Sequence, residues 1–348
     1  MDHEGSLSTL ITGGLGQDGS LLAKKLLGQG KRVTLLDYRP DFARSWRLRA
    51  LGLDGDPNLT VVQIGSRDLD AFNNLLERTS FESFYLFGGI SKTLDSIANA
   101  ETTIQTNYHA VADQLASIYR SHDPNTRVFL AGSSEVFTQD GLLKSESSHV
   151  MHSNPYGQSK AMLLAEADDY VSRGYAVVTG ILFPHESELR DPSFAVPKIS
   201  SGFVRILQNK DAPPLELGGA LASRDWSSAR EVITSASMIM ESDFRGRVVI
   251  GSGRGRSILE VCKLAWEQLT GVSAEFDKGS NMLYSNEQGR ALARFDDPRF
   301  EKTNSIGSRA DTRLMDSMGK SGISTDGFEF AVKSMIEFYK KVGGSLDS

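Results

Sequence analysis

Six short apolar runs, at residues 8–12, 33–37, 60–64, 83–87, 128–131 and 176–182, alternate with stretches of helical spacing at 20–29, 69–77, 99–119 and 156–173. Runs apolar on both faces suit strands buried inside a sheet. Parallel neighbours need crossovers long enough to hold a helix. Alternation over about 180 residues therefore predicts an α/β fold with a doubly wound parallel sheet. After Leu182 the rhythm breaks into Pro184, Pro192, Pro197 and Pro213-Pro214, and the chain is expected to leave the sheet and build a smaller C-terminal lobe. The 348 residues suffice for both, because single cores stop growing at roughly 250–300 residues. The expected division is 1–183 and 184–348, with about 227–251 returning to pack on the sheet. The Gly/Ser-rich, charged stretch 279–309 reads as loop with short ordered pieces at most.

Directly after the first run comes Thr12-Gly13-Gly14-Leu15-Gly16-Gln17-Asp18-Gly19, followed by a helical stretch. Glycines there let the backbone turn sharply and approach a pyrophosphate, while the helix N-terminus supplies amide donors. A lone glycine motif can be only a turn. Its place at the first strand-to-helix junction selects dinucleotide binding and makes the sheet a Rossmann domain, with Gly13, Gly16, Gln17, Asp18 and Gly19 as cofactor-binding candidates. Asp37 ends the second run, where a carboxylate binds both hydroxyls of an adenosine ribose and disfavours a 2′-phosphate; that points to NAD. Arg39 is placed to receive a 2′-phosphate, so NADP stays open. The structural alternatives are a turn cap for Asp37 and a solvated charge for Arg39.

Tyr156 and Lys160 lie in Asn154-Pro155-Tyr156-Gly157-Gln158-Ser159-Lys160, at the start of an expected helix. A four-residue separation puts both on one face. The lysine charge is expected to lower the tyrosine pKa, and such a tyrosine can take the proton from a sugar hydroxyl as hydride leaves the same carbon. The pair also occurs by chance on helix surfaces; the upstream glycine motif favours the catalytic reading. Ala131-Gly132-Ser133-Ser134-Glu135 follows the fifth run, placing hydroxyls and a carboxylate at a strand's carboxyl end, where open α/β sheets bind ligands. For Ser134 a cap is as good an account as catalysis.

Bulk properties narrow the field further. A net charge of −6 gives no broad basic surface, which argues against nucleic acid as a partner. Cys262 is the single cysteine, so there is no internal disulfide and no cysteine-cluster metal site. No histidine and carboxylate spacing suggests a metal either. Residues 1–9 lack a basic start followed by an apolar run, and no stretch approaches a membrane span. A cytoplasmic location away from membranes is the expectation.

These residues together resemble the extended short-chain dehydrogenases, and within them the GDP-mannose 4,6-dehydratase family. The resemblance covers nearly the whole chain. It rests on Thr12-Gly13 through Gly16-Gln17-Asp18-Gly19-Ser20, Ser133-Ser134-Glu135, Pro155-Tyr156-Gly157 with Lys160, and Gly180-Ile181-Leu182-Phe183 with His185-Glu186-Ser187. Lys198-Ile199, Arg224-Asp225-Trp226 and Asp297-Pro298-Arg299 add to it. The Gln-Asp-Gly-Ser and Arg-Asp-Trp segments separate this subgroup from the epimerases. The resemblance implies that Ser133 stands for the family's active-site threonine, Glu135 for its acid/base glutamate, and Tyr156 and Lys160 for its redox pair. It implies an internal redox elimination: oxidation at C4 of a nucleotide-activated hexose, proton removal from C5 by Glu135, loss of water from C6 assisted by Ser133 or Glu135, and return of hydride to C6. It also implies a homodimer or homotetramer, paired through helices at 99–119 and 156–173.

The same comparison marks departures. Pro184 replaces an asparagine before His-Glu-Ser, and Pro197 a polar residue before Lys198. Phe87-Gly88-Gly89-Ile90-Ser91 replaces a motif with glutamine, serine and histidine, and Ser66 replaces an aspartate at the adenine. Lys302 stands for an arginine that grips the diphosphate, and Ser305 for a nearby glutamate. For the substrate diphosphate, Arg224 is the leading candidate because a guanidinium forks onto two phosphate oxygens; the alternative is an ion pair with Asp225. Lys198, Arg190 and Lys302 follow. His185 and Glu186 are candidates for the sugar pocket, with a structural histidine as the alternative, and Trp226 is expected to pack the lobe junction. The leading function is dehydration of GDP-mannose or a related nucleotide hexose. The rivals are a nucleotide-sugar epimerase or oxidoreductase on the same fold, and a non-catalytic dinucleotide-binding protein.

Overall fold

The computed structural model describes residues 8–38, 46–287, 289–295, 306–324 and 326–343. Seven parallel strands form the central sheet, in the order Gly246–Ile250, Val177–Leu182, Arg127–Ala131, Phe81–Leu86, Ser8–Thr12, Arg32–Asp37 and Leu59–Gln63. Successive side chains of a strand point to opposite faces, and here both faces are covered. Leu10 and Leu36 join a core with Phe72, Leu115, Ile118 and Leu163, under the helices Leu69–Arg78, Ala110–Ser121 and Pro155–Ser172. Their neighbours Ile11 and Leu35 face the other way, into a core with Leu22, Leu26, Ile233 and Ala236 from the helices Gln17–Gly28 and Ala229–Met240. Double coverage is why the strands read as continuous apolar runs. The edge strand Leu59–Gln63 is only partly buried.

The first three strands in sequence run outward to one side of Ser8–Thr12, and the fourth returns to its other side. Strand order reverses there, so the adjoining crossovers diverge and open a crevice beyond the carboxyl ends. Thr12 and Gly13 at the end of one strand, and Phe87 and Gly88 after the other, line that crevice.

One expectation is corrected and another is made specific. The helix expected at 99–119 is split into Ala100–Ile104, a π-helical turn Gln105–His109 and Ala110–Ser121. The π turn carries Asn107, fully buried, whose Oδ1 accepts from Ile90 N at 2.7 Å and whose Nδ2 donates to Ile90 O at 2.9 Å. A π-bulge re-aims side chains at the point where it occurs, and here it clamps the loop behind the crevice. In the stretch 279–309, read as loop with short ordered pieces at most, the ordered pieces are two strands, Met282–Ser285 and Ala291–Arg294. They sit in a four-stranded sheet with Ala274–Asp277 and Leu215–Glu216. Each is four residues long, too short for a period to show, yet Leu283 pairs with Ala293 and both are fully buried. This small sheet, with the helices Ala195–Gln208, Ile258–Thr270 and Gly327–Lys341, encloses a separate core that includes Phe203, Trp266 and Val332.

Candidate active site

The glycine-rich turn has the shape a pyrophosphate cradle needs. Gly13 has φ +64°, which favours glycine. A Cβ on Gly19 would lie 2.6 Å from both Gly13 O and Gly14 Cα, so a side chain there would push the first helix off the turn. The helix N-cap is Gly16, which has no side chain to cover the first amides. The crevice beside the turn runs from Gly13, Gly16 and Gly19 along the strand ends to Asp37, Ile64 and Ser66. These residues fit a bound dinucleotide. Asp37 is buried in its wall, and its Oδ2 accepts from Leu15 N at 3.0 Å, tying the turn to the second strand. Arg39 lies outside the described residues. Arg47, missed by sequence reasoning, lines the same wall: it is buried, with Nε donating to Leu189 O at 2.7 Å and Nη1 to Leu15 O at 3.3 Å. Nothing in Trp46-Arg47-Leu48-Arg49 separates Arg47 from a surface charge or from Arg49 two residues on.

The crevice continues into a second compartment lined by Ser133, Glu135, Tyr156 and Lys160; Asp18, Phe87 and Arg190 line both. The helix Pro155–Ser172 starts at Asn154, whose Oδ1 accepts from Gly157 N at 2.8 Å as an N-cap, with Pro155 in the first turn. The same side chain donates from Nδ2 to Glu135 Oε2 at 3.2 Å, so one residue both starts the helix and positions the carboxylate. Close approach depends on Gly157, where a Cβ would fall 2.4 Å from Glu135 O. Ser133, not Ser134, caps the short turn Ser134–Val136, its Oγ accepting from Glu135 N at 3.2 Å. Asn154→Ala is expected to cost about 1 kcal/mol of stability through the lost cap and to lower turnover further by freeing Glu135. Thermal melts and kinetics on one sample separate the two effects.

Lys160 is buried and its Nζ donates to Ala131 O at 2.7 Å, 5.9 Å from the centre of the Tyr156 ring. The expectation that lysine lowers the tyrosine pKa is corrected by burial. Desolvation of the phenol is the largest influence and raises Tyr156; a hydrogen bond from Ser133 opposes it, Glu135 adds to it, and Arg190 opposes it. Burial also depresses Lys160, to about 8, against a partial opposing attraction from Asp18. The lysine charge is therefore present below about pH 8 and lost above it. An alkaline limb of kcat/KM near that value is expected, and absent from the residual activity of Lys160→Arg, whose guanidinium stays protonated.

Two motifs far apart in sequence meet here. Gln17 Nε2 donates to His185 O at 3.2 Å, Ser187 Oγ donates to Gln17 Oε1 at 2.9 Å, and His185 Nε2 lies 3.0 Å from Asp18 Oδ1. The other imidazole nitrogen of His185 is 2.7 Å from Phe183 O, so both ring nitrogens are engaged. Burial disfavours charge on His185, yet Asp18, by attraction and hydrogen bond, outweighs it and the net shift is upward. Glu186 is buried in the second compartment and raised by desolvation, with Arg190 opposing. Arg190 stacks 3.8 Å over the Phe194 ring, and its Nε stands 3.8 Å from Glu186 Oε2, too far for a hydrogen bond.

Two candidates are not brought to the crevice. Lys198 donates to Glu216 O at 2.7 Å, and Arg224, on the strand Ser223–Asp225, turns its Nη1 back onto Ser223 O at 2.7 Å. Neither is among the described residues lining the two compartments. Lys302 and Ser305 lie outside the described residues. Asp225 does not serve chiefly as an arginine partner: its carboxylate accepts from Ser252 N, Gly253 N and Ala310 N at 2.8–3.0 Å, fastening this strand to the segments around it. Trp226 stacks on Phe328 with centroids 6.0 Å apart and also borders the second compartment.

A doubly wound sheet with a dinucleotide cradle at its switch point, continuous with a tyrosine–lysine compartment, fits the family comparison, which places the chain among nicotinamide-dependent enzymes of the nucleotide-sugar dehydratase and epimerase class. More narrowly, the chain belongs to the GDP-mannose 4,6-dehydratase family, whose model matches residues 10–316. It is 28% identical over 276 residues to a GDP-mannose 4,6-dehydratase of Vibrio cholerae, covering 77% of this chain and 73% of that protein. It is 28% identical over 272 residues to GDP-mannose 4,6 dehydratase 2 of Arabidopsis thaliana, covering 75% and 72%. Among solved structures, UDP-glucose 4-epimerase of Thermotoga maritima superposes with a TM-score of 0.79 at 16% identity, covering 97% of this chain and 99% of that one. UDP-glucuronic acid 4-epimerase of Bacillus cereus, solved with UDP-glucuronic acid and NAD, gives 0.76 at 16%, covering 97% and 100%. At that identity the structural likeness speaks for the fold. Among the described residues no helix is long and apolar enough to cross a membrane.

Proposed function

We propose that this protein is a nucleotide-sugar 4,6-dehydratase that converts GDP-mannose or a related nucleotide hexose to its 4-keto-6-deoxy product. The observation that carries the reading is a second titratable group beside the tyrosine: Glu135, held by Asn154, shares one compartment with Tyr156 and Ser133. A nicotinamide dinucleotide bound in the crevice supplies a reversible hydride acceptor and, when oxidised, a positive charge that favours the Tyr156 phenolate. Tyr156 takes the proton of the sugar 4-hydroxyl. Once C4 is a ketone the hydrogen on C5 is acidic, and Glu135 removes it. Ser133 and Glu135 are placed to deliver a proton to the departing C6 hydroxyl. Lys160 fixes its charge beneath the tyrosine by anchoring to Ala131 O. An epimerase of the same class needs no base for C5, which is why the Glu135 position favours dehydration.

Asp37 supports NAD over NADP, because a 2′-phosphate beside a carboxylate is repelled at short range. Residues 1–183 with about 227–251 are read as the cofactor-binding part and the remainder of 184–348 as the substrate lobe, in a cytoplasmic homodimer or homotetramer. Mass spectrometry of purified enzyme with GDP-, UDP-, CDP- and dTDP-sugars tests the function. Loss of water from one of them supports dehydration, whereas oxidation or epimerisation without loss of water overturns it. Nucleotide extracted from the same preparation identifies the cofactor, and light scattering reads the assembly.

A further inference from the structure

We propose that His185 is the counter-ion that allows an aspartate to stand in the pyrophosphate-binding turn, so that protonation of its imidazole governs affinity for the dinucleotide. The inference rests on the dinucleotide part of the reading above and not on the sugar. Asp18 is the second residue of the helix Gln17–Gly28 and lines the crevice beside Gly13, Gly16 and Gly19. A helix N-terminus of this kind attracts phosphate, yet an uncompensated carboxylate in it repels one. His185 resolves the conflict. Its two ring nitrogens face Asp18 Oδ1 at 3.0 Å and Phe183 O at 2.7 Å. A carbonyl has no proton to give, and the carboxyl of Asp18 is held at about 2, because burial, which raises it, is outweighed by the attraction and hydrogen bond of His185 together with the attraction of Arg190 and a hydrogen bond from Gln17. Both nitrogens must therefore donate, and the contact is fully satisfied only by the imidazolium. The side chain is 9% exposed, so water does little to replace either bond. With the imidazolium present the pair is neutral; without it the turn carries one negative charge toward an incoming pyrophosphate.

Other charges around the pair are accounted for. Arg190 acts on both Asp18 and His185. Lys160 and Tyr156, from the helix Pro155–Ser172, act on or feel Asp18. Glu186 follows His185 on the same short strand and is shifted toward its neutral form by burial. From the two helices packed on that strand, Arg230 is committed to an ion pair with Glu188, and Tyr339 is a phenol pushed up by burial to about 12. Lys160, at about 8, is the group whose titration could be mistaken for that of His185, and the variants below separate them.

The test is NADH affinity, read by the fluorescence of the bound cofactor from about pH 5.5 to about 9. Wild-type affinity is expected to fall about tenfold as the imidazole loses its proton, the size of one unscreened charge acting across a partly polar cleft. His185→Gln should bind about tenfold more weakly at the acid end and show no slope there. Asp18→Asn should remove the imidazole's slope, because without the carboxylate burial keeps the imidazole neutral, and should leave only what Lys160 contributes; adding Asp18→Asn to His185→Gln should restore affinity, because the repelling charge is gone. If His185→Gln does not fold, the wild-type slope and its reduction to the Lys160 contribution in Asp18→Asn decide alone. A flat wild-type profile, a slope in Asp18→Asn as steep as that of the wild type, or a double variant as weak as His185→Gln overturns the inference. Any of these with NADH still bound leaves the enzyme class intact, whereas no binding of NADH or NADPH overturns both.

Discussion

Tyr156→Phe is expected to lower turnover by about 10²–10⁴-fold, the range for loss of a positioned general base. The ring is retained, so packing along the helix Pro155–Ser172 is preserved and the structural loss is limited to the hydrogen bond with Ser133, about 1 kcal/mol. Because the tyrosine acts at the first chemical step, neither reduced cofactor nor product should accumulate. Absorbance at roughly 340 nm, where reduced nicotinamide absorbs, and product mass are the two readouts. NADH affinity measured on the same protein distinguishes a catalytic loss from a binding loss. Turnover within tenfold of wild type would mean that another group takes the 4-hydroxyl proton.

How much of this was legible in the sequence depends on whether the signal is local. Runs such as 8–12 and 33–37 mark strands because burial on both faces leaves no polar alternation. The glycine turn is legible because Gly13 and Gly19 are required by backbone shape alone. The Tyr156 and Lys160 spacing shows that they share a helix but not how dry their surroundings are, and burial is what reversed the expected shift of the tyrosine. Contacts across the chain are the least visible. Gln17-Asp18 and His185-Glu186-Ser187 could be recognised separately, yet nothing in either says that Gln17 and Ser187, 170 positions apart, are hydrogen-bonded. Where the two segments meet, both ring nitrogens of His185 are engaged, by Asp18 and by Phe183 O, while the residue also lines the second compartment. Asn107 was hidden for a similar reason: a helical period cannot show the extra residue of a π turn that swings one amide onto Ile90. Asn154 was in plain view as the residue before Pro155, but its second bond, to Glu135, needed coordinates.

Glu135→Gln should fail at a different step from Tyr156→Phe, and this separates a dehydratase from its relatives. The substitution keeps the side chain's shape, and an amide oxygen can still accept from Asn154 Nδ2 as the carboxylate does at 3.2 Å. What it removes is the proton acceptor. Tyr156 and Lys160 are untouched, so oxidation at C4 proceeds while removal of the C5 proton stalls. Reduced cofactor should then build up toward one equivalent per site, seen at roughly 340 nm, while product formation falls by about 10²–10⁴-fold. In deuterated water the wild-type product should carry a label at C5, because the proton held by the carboxylate exchanges with solvent before it returns. Glu135→Ala controls for geometry: it should stall at the same step, since the defect is the missing base. Normal turnover by Glu135→Gln, or a wild-type product without solvent deuterium at C5, would remove Glu135 from the chemistry. The same compartment would then be left with Tyr156 and Lys160 alone, which is the equipment of an epimerase or a simple oxidoreductase.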